Sequence, residues 1–326
     1  MSHATTDAPI ADHAWPALPY EAWKDTCATL HMWTQIIGKI RLAQSPWTNH
    51  AWHVPLYVTA RGLGSSPIPW HDEVFDLDFD FIDHLLRISM SDGRTRTVAL
   101  EPRPVMDFHR ALFQQLDELG VRVRIDGRPN EVTEAIPFDQ DQRHAAYDPG
   151  YANRFWRVLV QADRVFKAFR ARFIGKASPV HFFWGSFDLA TTRFSGAEAP
   201  AHPGGVPNCP DWVTREAYSH EVSSCGFWPG NDAAPYPLFY SYAYPQPAGF
   251  AQAAVLPAGA RYDAALGEFT LPYDAVRASD SPDTVLLAFL QSTYEAAASL
   301  GHWNREALER GKDWRAPRAG LDNEPG

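Results

Sequence analysis

The residues best suited to chemistry are four histidines. His50 and His53 stand three apart in Asn-His-Ala-Trp-His, where a turn would bring both imidazoles to one side and an extended strand would separate them. His181 follows a second Ser-Pro pair, as His50 follows the first, and His220-Glu221 adds an imidazole beside a carboxylate. Three nitrogens and one oxygen would suit zinc, iron or manganese, depending on geometry and open positions. His50, His53, His181 and His220 are therefore the candidate metal ligands, and Glu221 is the candidate catalytic carboxylate. The plainer readings are core histidines satisfied by hydrogen bonds, or acid-base use without a metal.

A cationic set accompanies them. Ile37 to Gly62 and Ile174 to Gly196 share Ile-Gly-Lys, Ser-Pro, a histidine, Thr-x-Arg and a glycine, so that Lys39 matches Lys176 and Arg61 matches Arg193. Guanidinium and ammonium groups so paired would hold a carboxylate or phosphate. The alternatives are cations favoured at helix C-termini and arginines paired with Asp188, Asp83 or Glu73. In Phe-Tyr-Ser-Tyr-Ala-Tyr, Tyr240, Tyr242 and Tyr244 fall on one strand face. Packed against Trp52, Phe183 or Trp184, they would form a pocket with inward hydroxyls, or else an aromatic core with hydroxyls at its rim. Lys39, Arg61, Lys176, Arg193, Trp52, Trp184 and Tyr242 are the candidate substrate-binding residues. In Phe-Asp-Leu-Asp-Phe-Asp-Phe, the alternation reads as an apolar face backed by a solvated face of Asp76, Asp78 and Asp80.

Common nucleotide and hydrolase motifs are missing: no Gly-x-x-x-x-Gly-Lys, Gly-x-Gly-x-x-Gly, Gly-x-Ser-x-Gly or His-Glu-x-x-His occurs. A formal net charge of -10 gives no general attraction for nucleic acid or an anionic membrane. No apolar run approaches a membrane span, and the first residues lack the basic start and apolar core of a secretory signal. Three cysteines without CxxC spacing argue against a disulfide framework. The expected setting is a reducing cytoplasm and the expected partner a small molecule. The oligomeric state is left open.

These residues need elements to position them. Helical spacing of Trp23, Cys27, Leu30, Ile37 and Ile40 is followed by strand text, with Asp92-Gly93 marking a hairpin, and then by a second helix whose end Gly120 caps. A helix over about 148–173 then precedes strand text at VHFFW, FDLATTRF, REAYSHEVSS, LFYSYAY and GEFTLPY, and a last helix opens at Ser281-Pro282. The order repeats, so the expected fold is α+β: two fused, pseudo-symmetric halves, each helix, antiparallel sheet, helix. The expected boundaries are a flexible end at 1–14, a first half at 15–131, a linker at 132–147, a second half at 148–305 and a flexible end at 311–326.

The strings WPALPYEAWKDTCATLHMWTQIIGK, NHAWHVPLYVTARGL, NRFWRVLVQADRVFKAFRARFIGK, SPVHFFWGSFDLATTRFSG and FYSYAYP resemble a bacterial family described only as a domain of unknown function. The resemblance runs from about Trp15 to about Leu308. It implies a stand-alone bacterial protein and carries over no activity, cofactor or catalytic residue. The functional expectation therefore rests on the residues: a metal-dependent enzyme for a small, anionic substrate at the junction of the halves. The alternatives are a non-catalytic binder of a small aromatic or apolar ligand, and a structural or interaction protein.

Overall fold

A computed structural model describes residues 14–311. The flexible ends expected at 1–14 and 311–326 fall outside that range but for their innermost residues.

The fold is α+β, with helices and two six-stranded antiparallel sheets. Helix α1 (Lys24–Gln44) leads into β1 (Tyr57–Val58), β2 (Gly62–Gly64), β3 (Ile68–Trp70), β4 (Glu73–Asp80), β5 (Leu85–Met90), β6 (Thr95–Ala99) and α2 (Val105–Glu118). Helix α3 (Pro149–Arg170) leads into β7 (His181–Phe183), β8 (Asp188–Glu198), α4 (Asp211–Ala217), β9 (His220–Trp228), β10 (Leu238–Tyr244), β11 (Arg261–Asp263) and β12 (Glu268–Pro272). Then come α5 (Tyr273–Arg277), α6 (Pro282–Leu300) and α7 (Arg305–Leu308). The first sheet runs β1-β2-β4-β5-β6, with β3 also on β4, and the second runs β7-β8-β9-β10-β12-β11. Setting the β3 and β11 additions aside, the two sheets have the same order of strands.

The local reasons are ordinary. Asp148 caps α3 by accepting from the Tyr151 N–H at 2.9 Å, with Pro149 in the first turn. Gly93 takes φ 91° in the β5–β6 hairpin and Gly120 takes φ 84° after α2, the left-handed values those turns require. Phe75, Leu77, Phe79 and Phe81 are buried, as the alternation in β4 predicts. The solvated acidic face holds only in part. Asp80 is buried, accepts from Arg61 Nε at 2.5 Å and from the Ile82 and Asp83 N–H groups, and so ends a sheet edge rather than facing water.

Two expectations change in the second half. The strand text REAYSHEVSS divides: Arg215, Glu216 and Ala217 close α4, and the strand begins at His220. Pro210 precedes α4 and Asp211 stands in its first turn, both favourable to a helix start. The matched segments also occupy different places. Thr59 and Arg61 lie at the β1–β2 turn, whereas Thr191 and Arg193 lie within β8. The sheets meet edge to edge at Leu56 and Phe182, which exchange backbone hydrogen bonds of 2.9 and 2.8 Å. In that register Leu56 stands opposite Phe182, and His50 lies in a turn outside both sheets.

One face of the second sheet is apolar and packs on α3 and α6 through Phe182, Leu189, Phe227, Phe239, Phe269 and Leu271. The opposite face is polar. The segment 132–147, expected as a linker, buries Phe138, Asp141 and Tyr147. Among the described residues no helix is long and apolar enough to cross a membrane.

Candidate functional site

The polar face follows from strand register. Tyr240 pairs with Gly226 and Thr270, Tyr242 with Ser224, and Ala190 and Thr192 of β8 with Gly226 and Ser224. Since alternate residues share a face, Asp188, Thr192, Ser224, Tyr240, Tyr242 and Glu268 all face the same way. Tyr240 reaches across the β9 position held by Gly226, where any Cβ would overlap its ring, and donates its hydroxyl to Asp188 Oδ2. Ser186 donates to Asp188 Oδ1. Thr192 and Ser224 share a hydrogen bond of 2.9 Å, and Tyr242 and Tyr218 one of 2.7 Å.

Loops from both halves wall this face. Glu131 arrives from the first half with its carboxylate against Gly185, where a Cβ would overlap Oε1. Its chain is clamped on both sides. Gln35, buried in α1, accepts from the Asn130 N–H at 2.9 Å and donates to the Asn130 carbonyl at 2.7 Å. The Glu131 N–H donates to the Pro207 carbonyl at 2.7 Å, and the Asn208 side chain donates to the Val132 carbonyl at 2.7 Å. The backbone here is strained. Glu131 and Phe187 both have φ 60°, and Asn208 has φ 53°, left-handed values that cost side-chain-bearing residues about 1–3 kcal/mol each.

The electrostatics agree. Glu131 is exposed, yet burial of its surroundings and then the Asp188 charge push its carboxyl up to about 7. Glu268, half-buried, is pushed up to about 7 by desolvation, then by Asp188 and Asp263. Asp188 is raised by burial, against which the Ser186 and Tyr240 hydroxyls favour its ionised form. The polar face beneath Glu131 is the recess, and both glutamates keep some exposure there while desolvation favours their protonated forms. Two carboxyls near pH 7 within the field of a third can exchange protons at neutral pH, one entering protonated and another ionised.

The residues singled out from sequence divide. Tyr242 lies in the recess. Trp52, His50, Lys176 and His220 lie together elsewhere, His50 and Trp52 in the loop between α1 and β1, Lys176 in the loop before β7 and His220 at the start of β9. The His50 Nδ1–H donates to the Ala217 carbonyl at 3.0 Å, leaving Nε2 to accept from Lys176 Nζ at 2.6 Å. Lys176 also stands over the Trp52 and Phe194 rings at 5.3 and 4.8 Å, and the His220 ring is 6.0 Å from that of His50. His50 has φ 60°.

The four histidines do not form one donor set. Trp52 lies between His50 and His181, with ring distances of 5.3 and 5.9 Å, and His53 packs on Trp47 at 4.4 Å. Among the described residues no group of three or more His, Cys, Asp or Glu side chains is placed to hold a metal ion. Glu221 follows His220 in an extended strand, so it points the other way, into a small cleft with Tyr244, Pro245 and Trp303.

The remaining cations are otherwise engaged. Arg61 pairs with Asp80 and Asp83 at 2.5 and 2.7 Å, at the β1–β2 turn. Lys39 is buried, 3.7 Å from Asp126. Arg193 lies on the apolar face, caged by Phe169, Phe173 and Tyr294, with a hydrogen bond to the Phe169 carbonyl. Burial lowers its pKa to about 10. Trp184 is buried under α1, donating to the Val54 carbonyl at 2.9 Å.

The family model for a family of unknown function (DUF5996) matches residues 15–310. The chain belongs to that family. The span takes in both sheets and every residue of the recess, so the site lies wholly within the family's domain. No curated protein and no solved structure matches the chain.

Proposed function

We propose that the recess of Glu131, Asp188, Glu268, Tyr218, Tyr240 and Tyr242 is the active site of an enzyme that moves protons on a small polar molecule. The carrying observation is the sheet face that gathers Asp188, Tyr240, Tyr242 and Glu268 with Glu131 against Gly185, where desolvation and the Asp188 charge push both glutamates up to about 7. Ordinary surface glutamates gain nothing from such a setting. A general acid and a general base at neutral pH require it. In this reading Tyr240 and Tyr242 bind hydroxyl or amine groups of the substrate, and the strained, doubly clamped Glu131 is the group whose position matters most.

The test begins with a panel of sugars, hydroxy acids and amino acids, screened for binding by ligand-observed NMR. Compounds that bind are then incubated in D2O, and the exchange of their C–H protons is followed. The proposal expects exchange by the wild type and its loss, with binding retained, in Glu131→Gln and Glu268→Gln. Binding without exchange in the wild type would support the non-catalytic reading, and exchange unaffected by both variants would refute the assignment.

A further inference from the structure

A second group of buried polar side chains lies outside the recess, where α1, β1 and β7 meet. Arg41 is 8% exposed, His53 5% and His181 0%. Arg41 and His181 lie against the same Tyr57 ring, at 5.3 and 5.6 Å. Arg41 acts electrostatically on both histidines. Within this group Arg41 Nε, His53 Nε2 and both ring nitrogens of His181 are buried without a hydrogen-bond partner.

The direction of these groups is informative. His53 Nδ1 accepts from the Thr48 N–H at 3.2 Å, so its proton is on Nε2, the unpartnered nitrogen. Neutral His181 brings one ring N–H, and Arg41 brings Nε–H while its Nη1 donates to the Pro55 carbonyl. The unpartnered atoms are therefore mainly donors, and those of both histidines lie within the field of the buried Arg41 charge. Arg170 adds a second cation acting on His181. Glu216 acts on His53, but it already accepts from Trp47 Nε1 at 2.8 Å. Burial of a guanidinium without a counter-charge is unfavourable, and burial lowers the Arg41 pKa accordingly. A metal cation would add to that charge, whereas an anion would neutralise it.

We propose that Arg41, His53 and His181 bind a small monovalent anion of the halide or nitrate class, which joins the two halves at their common edge. The site is independent of the recess and does not rest on the proposed enzymatic reading.

The experiment measures the thermal midpoint of the full chain against chloride, with gluconate holding ionic strength constant, and then soaks crystals in bromide. The proposal expects the midpoint to rise logarithmically with chloride above the dissociation constant and to stay level in gluconate. It also expects a bromide anomalous peak within contact of Arg41. His181→Phe, which keeps an apolar ring under Trp52, should weaken the chloride response at least tenfold. Equal midpoints in both salts together with no bromide peak at Arg41 would overturn the proposal. So would a chloride response unchanged in His181→Phe.

Discussion

Gly226 lies directly beneath the ring of Tyr240, and the missing side chain is what lets the phenol cross β9 to reach Asp188 on β8. A Cβ at Gly226 would overlap both Cζ and the hydroxyl, and backbone at Leu189 blocks the alternative path. Gly226→Ala should destabilise the fold by about 1–3 kcal/mol and strip Asp188 of one donor. Urea unfolding measures the first effect. A Tyr240 ring left in place in a crystal structure of the variant would refute the second.

Gly185→Ala is expected to act differently. The Cβ there would meet the free end of the Glu131 side chain, which can swing away. Stability should change by less than about 1 kcal/mol, while the Glu131 pKa falls toward the ordinary glutamate value. Carboxyl NMR reads the pKa and chemical denaturation reads the stability. A large loss of stability with Glu131 unmoved would contradict the geometry.

Raised carboxyl pKa values make stability depend on pH with a definite sign. In the folded state Glu131 and Glu268 hold their protons up to about 7, against an ordinary glutamate value of 4.5. Their contribution is full below the unfolded pKa and is lost as pH rises through about 7. Glu268→Gln should therefore stabilise the protein relative to wild type more at pH 8 than at pH 5. The difference should be about 1 kcal/mol after discounting for solvent exposure. Equal effects at both pH values would show that Glu268 titrates normally.

Gly38 sits inside α1, where glycine costs a helix about 1 kcal/mol relative to alanine. Its Cβ would overlap the Trp184 indole, and Trp184 is fixed by its bond to the Val54 carbonyl. Gly38→Ala should lose more in packing than it gains in helix propensity, a net cost of about 1–3 kcal/mol. A thermal melt showing stabilisation would refute the close packing of α1 on Trp184.

The apolar spacing made the helices and most of the strands legible, and the alternation in Phe-Tyr-Ser-Tyr-Ala-Tyr placed Tyr242 on the right face. The sequence put His50 and His220 in a metal set, Lys176 among the anion-holding cations and Trp52 with the tyrosines, whereas the structure makes these four neighbours of one another. Glu131, Asp188 and Glu268 could not be found this way. They come from a loop and two non-adjacent strands, and nothing along the chain marks a carboxyl that register alone turns toward a recess. Arg193 and Trp184 misled for the converse reason. A buried cation in an aromatic cage and a buried indole have the same composition as a ligand site, and only the face they occupy separates the two.

The most direct test is a carboxyl NMR titration of Glu131 and Glu268 in the wild type and in Asp188→Asn. The proton-transfer account predicts that both groups titrate near 7, and that both pKa values fall when the Asp188 charge is removed. Titration of both between about 4 and 5, unchanged in Asp188→Asn, would contradict it.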